Sequence, residues 1–242
     1  MIDLNRIYAL EMMRKRRIAQ STGYRTEDLI LHLDGIQNTR AGTHNPSATV
    51  WEDLTGNMDV TLYNATWGAD HVSFTGANNS YGKGARWTFA KGTTIEIVFK
   101  MQFSILKTAG VCGWAGDPAT EYPFSRIYIT NSGALNFRSE GSALLPHSTL
   151  LSLTSFKYAS GNWNFVAING DIESRSIEGK IGTTVMSFYV AVAGSGSIVD
   201  APAAGANFPG NIYAVRVYDA NLTAEELYAH WLIDKKRFNI PE

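Results

Sequence analysis

The stretch FPGNIYAVRVYDANLTAEELYAHWLIDKKRF, Phe208–Phe238, carries a strand, a turn and a capped helix in direct succession. In Asn211–Asp219, Tyr213, Val215 and Val217 alternate with Ile212, Ala214, Arg216 and Tyr218, the period of two that places side chains on opposite faces of a strand. Asp219–Asn221 reads as a turn. Thr223 and Glu226 then stand in the S/T-x-x-E spacing of a capping box, with Glu225 also in the first turn. Lys235, Lys236 and Arg237 close the helix, where cations suit the negative end of its dipole. Leu227 and Trp231 share one face of that helix, with Tyr228 and Leu232 beside it, so the helix is expected to pack on the body of the protein.

Upstream, the chain from Asp28 onward has an all-β texture. Leu29, Leu31 and Leu33 alternate with Ile30, His32 and Asp34. In Thr93–Phe103 the apolar series Ile95, Ile97, Phe99, Met101 and Phe103 alternates with Glu96, Val98, Lys100 and Gln102, which predicts one buried and one wetter face. Further strands are expected at Arg126–Thr130, Ala134–Arg138, Asn162–Asn169 and Ser187–Ala193, punctuated by Gly, Asn, Asp and Pro clusters. Helical periodicity appears only at the two ends. Leu4, Ile7, Tyr8 and Met12 recur at helical spacing, and Arg14, Lys15, Arg16 and Arg17 form a basic block behind them. This amphipathic segment either packs on its own domain or docks on a partner or on other copies of the chain. Residues 1–27 are therefore taken as a helical arm with a polar linker, and residues 28–242 as one domain. Short strands without βα alternation point to an all-β, two-sheet antiparallel jelly-roll sandwich, with an N-terminal helical arm and a C-terminal helix.

The chain has 242 residues, 45% of them hydrophobic, which is ample for a real core. Its formal net charge of −1 gives no electrostatic footprint for nucleic acid. Cys112 is the only cysteine, so no intrachain disulfide can form. The first twenty residues are interrupted by Asp3, Arg6 and Glu11, and their basic cluster follows the apolar part, the reverse of a secretion signal. No run approaches the roughly 18 apolar residues of a membrane span.

Several blocks, in order, resemble the concanavalin A-like, laminin-G-like jelly-roll family. They are Leu29–Gly35 (LILHLDG), Thr49–Leu62 (TVWEDLTGNMDVTL), Val72–Gly76 (VSFTG), Thr94–Phe99 (TIEIVF), Trp163–Ile168 and the closing strand and helix. In the second block Trp51, Asp53, Leu54, Gly56, Asn57, Thr61 and Leu62 match the family pattern, with Thr55 for its usual Ser. The stretch Glu173–Glu178 (ESRSIE) departs from the family's Y-V-N-G strand. The resemblance implies two stacked antiparallel sheets whose concave face and rim loops often bind glycans or protein surfaces, sometimes with calcium.

Retaining glycosidases need two carboxylates about 5–5.5 Å apart, and the related glucanases supply them as E-x-D-x-x-E on one strand. Glu96 begins a comparable strand, but Val98, Lys100 and Gln102 share its face, so an ion pair is the expected role of Glu96. No G-x-S-x-G occurs, and the five histidines lack metal-ligand spacing. Asp53, Asn57 and Asp59 in DLTGNMD are either a calcium set or an Asx turn; two acids and an amide are few for a cation that takes six to eight oxygens. The chain is accordingly expected to need no cofactor and not to be an enzyme.

A binding surface remains. Trp114, Asp117, Glu121 and Tyr122 lie in the Gly/Pro-rich stretch VCGWAGDPATEYP, taken as a loop whose aromatics and carboxylates suit sugar rings. Asn78, Asn79 and Tyr81 form a second set. The expected function is a structural or adhesive module of a bacterial virus, on capsid or tail appendage, made in the host cytoplasm and carried on the virion. There the arm would join other assembly proteins or copies of itself, and the sandwich would present loops to glycans. Nucleic acid and membrane are not expected partners. The alternatives are a bacterial carbohydrate-binding lectin, on the cell surface or secreted, and a degenerate glycosidase.

Overall fold

The computed structural model describes residues 23–77, 79–88, 94–101, 208–220 and 222–239, together with the strands at 109–115, 125–129, 134–137, 142–144, 152–159, 162–168, 171–178 and 185–193. Two eight-stranded antiparallel sheets face each other. The first contains β1 (Leu29–Asp34), β4 (Ala65–Trp67), β5 (Val72–Thr75), β7 (Thr94–Met101), β12 (Ser152–Ala159), β13 (Asn162–Ile168), β14 (Asp171–Glu178) and β16 (Pro209–Tyr218). Its order is β14-β13-β12-β7-β16-β5-β4, with β1 also paired to β16. The second contains β2 (Val50–Trp51), β3 (Val60–Tyr63), β6 (Tyr81–Thr88), β8 (Ala109–Ala115), β9 (Ser125–Ile129), β10 (Ala134–Phe137), β11 (Ser142–Leu144) and β15 (Val185–Ala193), in the order β11-β10-β9-β8-β15-β6-β3-β2. This is the all-β, two-sheet jelly-roll sandwich read from the sequence. The N-terminal arm lies outside the described residues.

β16 organises the first sheet. Along one edge it pairs with β7; along the other it pairs first with β5, over Pro209–Ile212, and then with β1, over Ala214–Tyr218. A register shift between Ile212 and Ala214 in the β7 pairing breaks the strict alternation expected here, so Ile212 joins Val215 and Val217 on the core face and Tyr213 joins Ala214 on the helix face. Ile212, Val215 and Val217 point into the sandwich core with Leu31, Leu33, Ile95, Ile97 and Phe99. From the other sheet Val60, Phe188 and Val190 meet them. Within the second sheet Gly82 of β6 is crowded by its neighbours on both sides: a Cβ there would lie 2.3 Å from Val190 Cγ2 of β15 and 2.8 Å from Val60 Cγ1 of β3, so the position has room only for glycine.

The helix α1 (Ala224–Arg237) covers the back of β16 and β7. Thr223 Oγ1 accepts from the Glu226 amide, and the Glu226 carboxylate accepts from the Thr223 amide, so the capping box forms as read. Trp231 packs with Val98, Tyr213, Ala214 and Phe238, and Leu227 packs with Tyr218 and Leu222. Each such buried side chain contributes about 2 kcal/mol. The expectation of a wetter face on β7 is corrected here. Thr94, Glu96 and Val98 are as buried as Ile95 and Ile97, because α1 covers the face that alternation assigns to solvent.

Candidate functional site

The described residues hold three places of chemical interest: a turn, an aromatic surface pair and a buried ionic network.

The turn is the one offered for calcium. Asp53 is fully buried. Its Oδ1 accepts from the His32 and Thr55 amides at 2.7 and 3.0 Å, and its Oδ2 from the Asn57 and Met58 amides, both at 2.9 Å. The Thr55 hydroxyl adds a fifth bond to Oδ2 at 2.6 Å. Asp59 accepts from the Asp53 amide and pairs with Arg40, and the Asn57 amide group donates to the Ile30 carbonyl. These carboxylates are turned onto N–H and O–H donors, so Asp53, Asn57 and Asp59 form an Asx turn that ties the β2–β3 connection to β1. Among the described residues no group of three or more His, Cys, Asp or Glu could hold a metal ion.

The two surface sets fare differently. Trp114 is not in a loop: it lies in β8, in register with Phe188 of β15 and Ser125 of β9. The Gly-Trp-Ala-Gly-Asp-Pro run reads as punctuation, yet its first half continues a strand of small residues. Asp117, Glu121 and Tyr122 lie outside the described residues, as do Asn78 and the arm residues Leu4, Ile7, Tyr8, Met12, Arg14, Lys15, Arg16 and Arg17. Asn79 and Tyr81 are described, and a residue not singled out from sequence joins them. Tyr63 of β3 is directly opposite Tyr81 of β6, and their rings stack at 4.7 Å and 22°. Tyr63 is the one large hydrophobic side chain among the described residues that stands exposed, at 40%. The neighbouring Asn64 amide donates to the Asn79 carbonyl at 2.9 Å, which ties the end of β3 to the turn before β6. The signal for Tyr63 is present in the sequence as the outward position of V-T-L-Y, but its partner becomes visible only with the β3–β6 register.

The third place is a buried ionic network, of which the sequence reading anticipates only an ion pair at Glu96. Glu96 of β7 and Arg216 of β16 are cross-strand neighbours on the face under α1, and both are fully buried. Arg216 Nε donates to Glu96 at 2.9 Å, while its two Nη groups clamp Asp234 of α1, Nη1 at 2.9 Å from Oδ1 and Nη2 on Oδ2. His230, one turn earlier in α1, holds Glu96 from the other side, with Nδ1 at 3.0–3.1 Å from its two oxygens. Residues 23–27, read as polar linker, are part of this structure. The Tyr24 hydroxyl donates to Asp234 at 2.5 Å, its ring covers Arg216 with Cζ 4.0 Å from the centroid, and the Arg25 amide donates to His230 Nε2 at 3.0 Å. Beyond Tyr24, Arg237 Nη2 lies 2.7 Å from Asp34, whose carboxylate also faces His32.

The electrostatics follow from one guanidinium shared by two carboxylates. Burial alone would raise the Glu96 carboxyl, but His230 and Arg216 outweigh it and hold it at about 2. Burial dominates at Asp234, whose carboxyl is raised despite Arg216, with the nearby Glu96 charge adding to the effect. Burial would lower Arg216, but Asp234, Tyr24 and Glu96 keep it firmly charged. The expected ion pair of Glu96 is therefore real, and its partner is the cross-strand neighbour Arg216. Sealed at 0% exposure beneath a helix, this Glu96 is a structural anion.

In fold the chain is similar to Trypanosoma rangeli sialidase in complex with sialic acid, with a TM-score of 0.64 and 13% identity over 99% of this chain and 39% of that one. It is similar to the HCR/D F1240A mutant, with a TM-score of 0.58 and 14% identity over 84% of this chain and 51% of that one. It is also similar to domain 4 of AbnA, a GH43 extracellular arabinanase from Geobacillus stearothermophilus, in complex with arabinotriose; there the TM-score is 0.54 and the identity 14%, over 83% of this chain and 97% of that domain. The chain thus spans about two fifths of the sialidases' length. No family model and no curated protein matches it. The expectation that the chain is not an enzyme is corrected by these neighbours: the same sandwich is built into sialidases and an arabinanase, so a missing paired-carboxylate motif does not exclude the chain from enzymes. What the comparisons establish is the sandwich itself, a β fold that recurs among carbohydrate-active proteins.

Proposed function

We propose that this chain is a carbohydrate-recognising sandwich of the concanavalin A-like, laminin-G-like group, and that Tyr63 and Tyr81 are its sugar platform. The observation that carries this is the exposed Tyr63 ring, stacked on Tyr81 across two paired strands. A ring held upright by its neighbour offers a flat apolar face to the C–H side of a pyranose or furanose, at little cost in side-chain entropy. The tyrosine hydroxyls and the side chains of Asn64 and Asn79 offer hydrogen bonds for the sugar's own hydroxyls. Thr61 and Lys83, opposite each other two residues further along the same strands, extend the polar rim. A domain of similar fold and nearly matching extent, solved with arabinotriose, supports the choice of ligand class.

Arabinotriose and a panel of plant and bacterial oligosaccharides, titrated by calorimetry, test the reading. Binding by the wild-type chain that falls at least tenfold in Tyr63→Ala, with Tm nearly unchanged as for an exposed substitution, supports it. Silence across the panel, or binding indifferent to Tyr63→Ala, counts against it. The setting we propose for this domain is display on an assembly such as a bacterial-virus capsid or tail appendage, and it rests on the amphipathic and basic pattern of residues 4–17. Removal of residues 1–20 separates the two ideas, since it abolishes assembly and leaves glycan binding intact.

A further inference from the structure

The imidazole of His230 is caught between two partners that fix its protonation. The Arg25 backbone N–H can only donate, so Nε2, 3.0 Å away, carries the ring's lone pair. The single ring proton is then on Nδ1, where it is given to Glu96. A second proton would have to sit on Nε2, facing the Arg25 N–H, and the bond that fastens residues 23–28 at this point would become a contact between two donors.

We propose that residues 23–28 are an acid-released clasp, closed on α1 while His230 is neutral and opened when Nε2 is protonated. The groups around the ring set the balance. Glu96 of β7, and Glu226 and Asp234 of α1, draw a second proton toward it. Arg216 of β16, which shares Glu96, and the Arg25 guanidinium, paired with Glu226 and Asp28, repel it. Tyr218 stacks on one side of the ring at 5.6 Å and the Tyr24 edge closes another at 5.6 Å, so the ring is shielded from water while the clasp is shut. Opening exposes Nε2 and lets it take the proton next to an anionic Glu96. The open state therefore binds one proton more than the closed state, and closure weakens as pH falls, by at most tenfold per pH unit for one proton.

Hydrogen exchange of the full chain, followed by mass spectrometry between about pH 8 and about pH 5 and corrected for intrinsic exchange, tests the clasp. Protection of residues 23–28 is expected to fall steeply toward acid while β16 and α1 keep theirs. In His230→Gln the profile is expected to be flat, because the amide does not titrate. Protection that is independent of pH in the wild type, or that falls equally in His230→Gln, overturns the proposal. Should the variant fail to fold, nitrogen NMR of the wild-type imidazole decides. A ring that takes its second proton while the Arg25 amide stays protected overturns the clasp, and loss of both together supports it.

Discussion

Replacing Arg216 by methionine removes the cation on which two buried carboxylates depend. Arg216, Glu96 and Asp234 are each 0% exposed, so neither anion can turn to water without moving α1. Removing one partner of a buried pair costs about 3–5 kcal/mol, because the charge left behind is uncompensated. Two anions are orphaned here, yet the cost does not double. Glu96 keeps the His230 N–H, and Asp234 keeps the Tyr24 hydroxyl. For a domain of this size about 2–4 °C of Tm accompany each kcal/mol, so Arg216→Met is expected to melt about 6–20 °C below the wild type at neutral pH. The loss shrinks toward acid. Burial already raises the Asp234 carboxyl, and without the guanidinium it takes up a proton sooner. Arg216→Met combined with Asp234→Leu should recover much of the stability, since a buried ionic group exchanged for well-packed apolar side chains is commonly neutral or better. Urea unfolding followed by tryptophan fluorescence measures each variant. A single variant within about 1 kcal/mol of the wild type at neutral pH, with an unchanged denaturant slope, would falsify the account of Arg216 as the network's counter-ion.

Four further outcomes are expected. The Glu96 carboxyl is lowered in the fold, from 4.5 to about 2, so its contribution is present above about 4.5 and is lost as pH falls through about 2. Glu96→Gln is expected to flatten the fall of the urea midpoint across that window, and parallel curves for the two proteins would refute this. Thr223→Ala removes half of the capping box and should cost about 1 kcal/mol, seen as a lower Tm with unchanged near-ultraviolet dichroism. Asp53→Asn replaces an anion that accepts five hydrogen bonds by an amide that must turn a donor toward some of them, and should cost about 2 kcal/mol or more. Calcium titrated into the wild type should leave its Tm where it was, and a rise would return Asp53 to the metal reading.

The parts of this fold that are legible in sequence are those encoded in contiguous residues. Thr223 and Glu226 specify a cap within four positions, and alternation in Leu29–Asp34 and Asn211–Asp219 specifies strands within six to nine. The Asp53 turn is equally local, but its two readings use the same atoms, and only the direction of the surrounding N–H groups decides between them. Trp114 reads as loop because the Gly and Pro on its C-terminal side mask the strand that ends at Ala115. Tyr63 and Tyr81 needed the β3–β6 register, which no local pattern supplies. Glu96 and Arg216 are 120 positions apart, and their pairing is created by the topology that sets β7 beside β16.

A signal for the network nevertheless exists, and its logic is general. Arg216 interrupts I-Y-A-V-R-V-Y and Glu96 interrupts T-I-E-I-V-F, each a lone charge within an otherwise apolar run. A strand at a sheet's wet face tolerates such a charge and ordinarily surrounds it with other polar residues. Here the same-face neighbours of Arg216 are Ala214 and Tyr218, and those of Glu96 are Thr94 and Val98, a face too apolar to be left in water. Such a face is covered, and a covered charge requires an opposite charge. The amphipathic helix that follows β16 is the cover closest at hand, and its inner face carries an acid, Asp234, two helical turns from its cap-side apolar contact at Leu227. Two lone charges of opposite sign in apolar strands, followed by a helix with an inward acid, thus point to a three-body ionic contact between sheet and helix. The closing segment that identifies the fold also supplies two of that contact's three members, Arg216 and Asp234, and the histidine that fastens residues 23–28 to it.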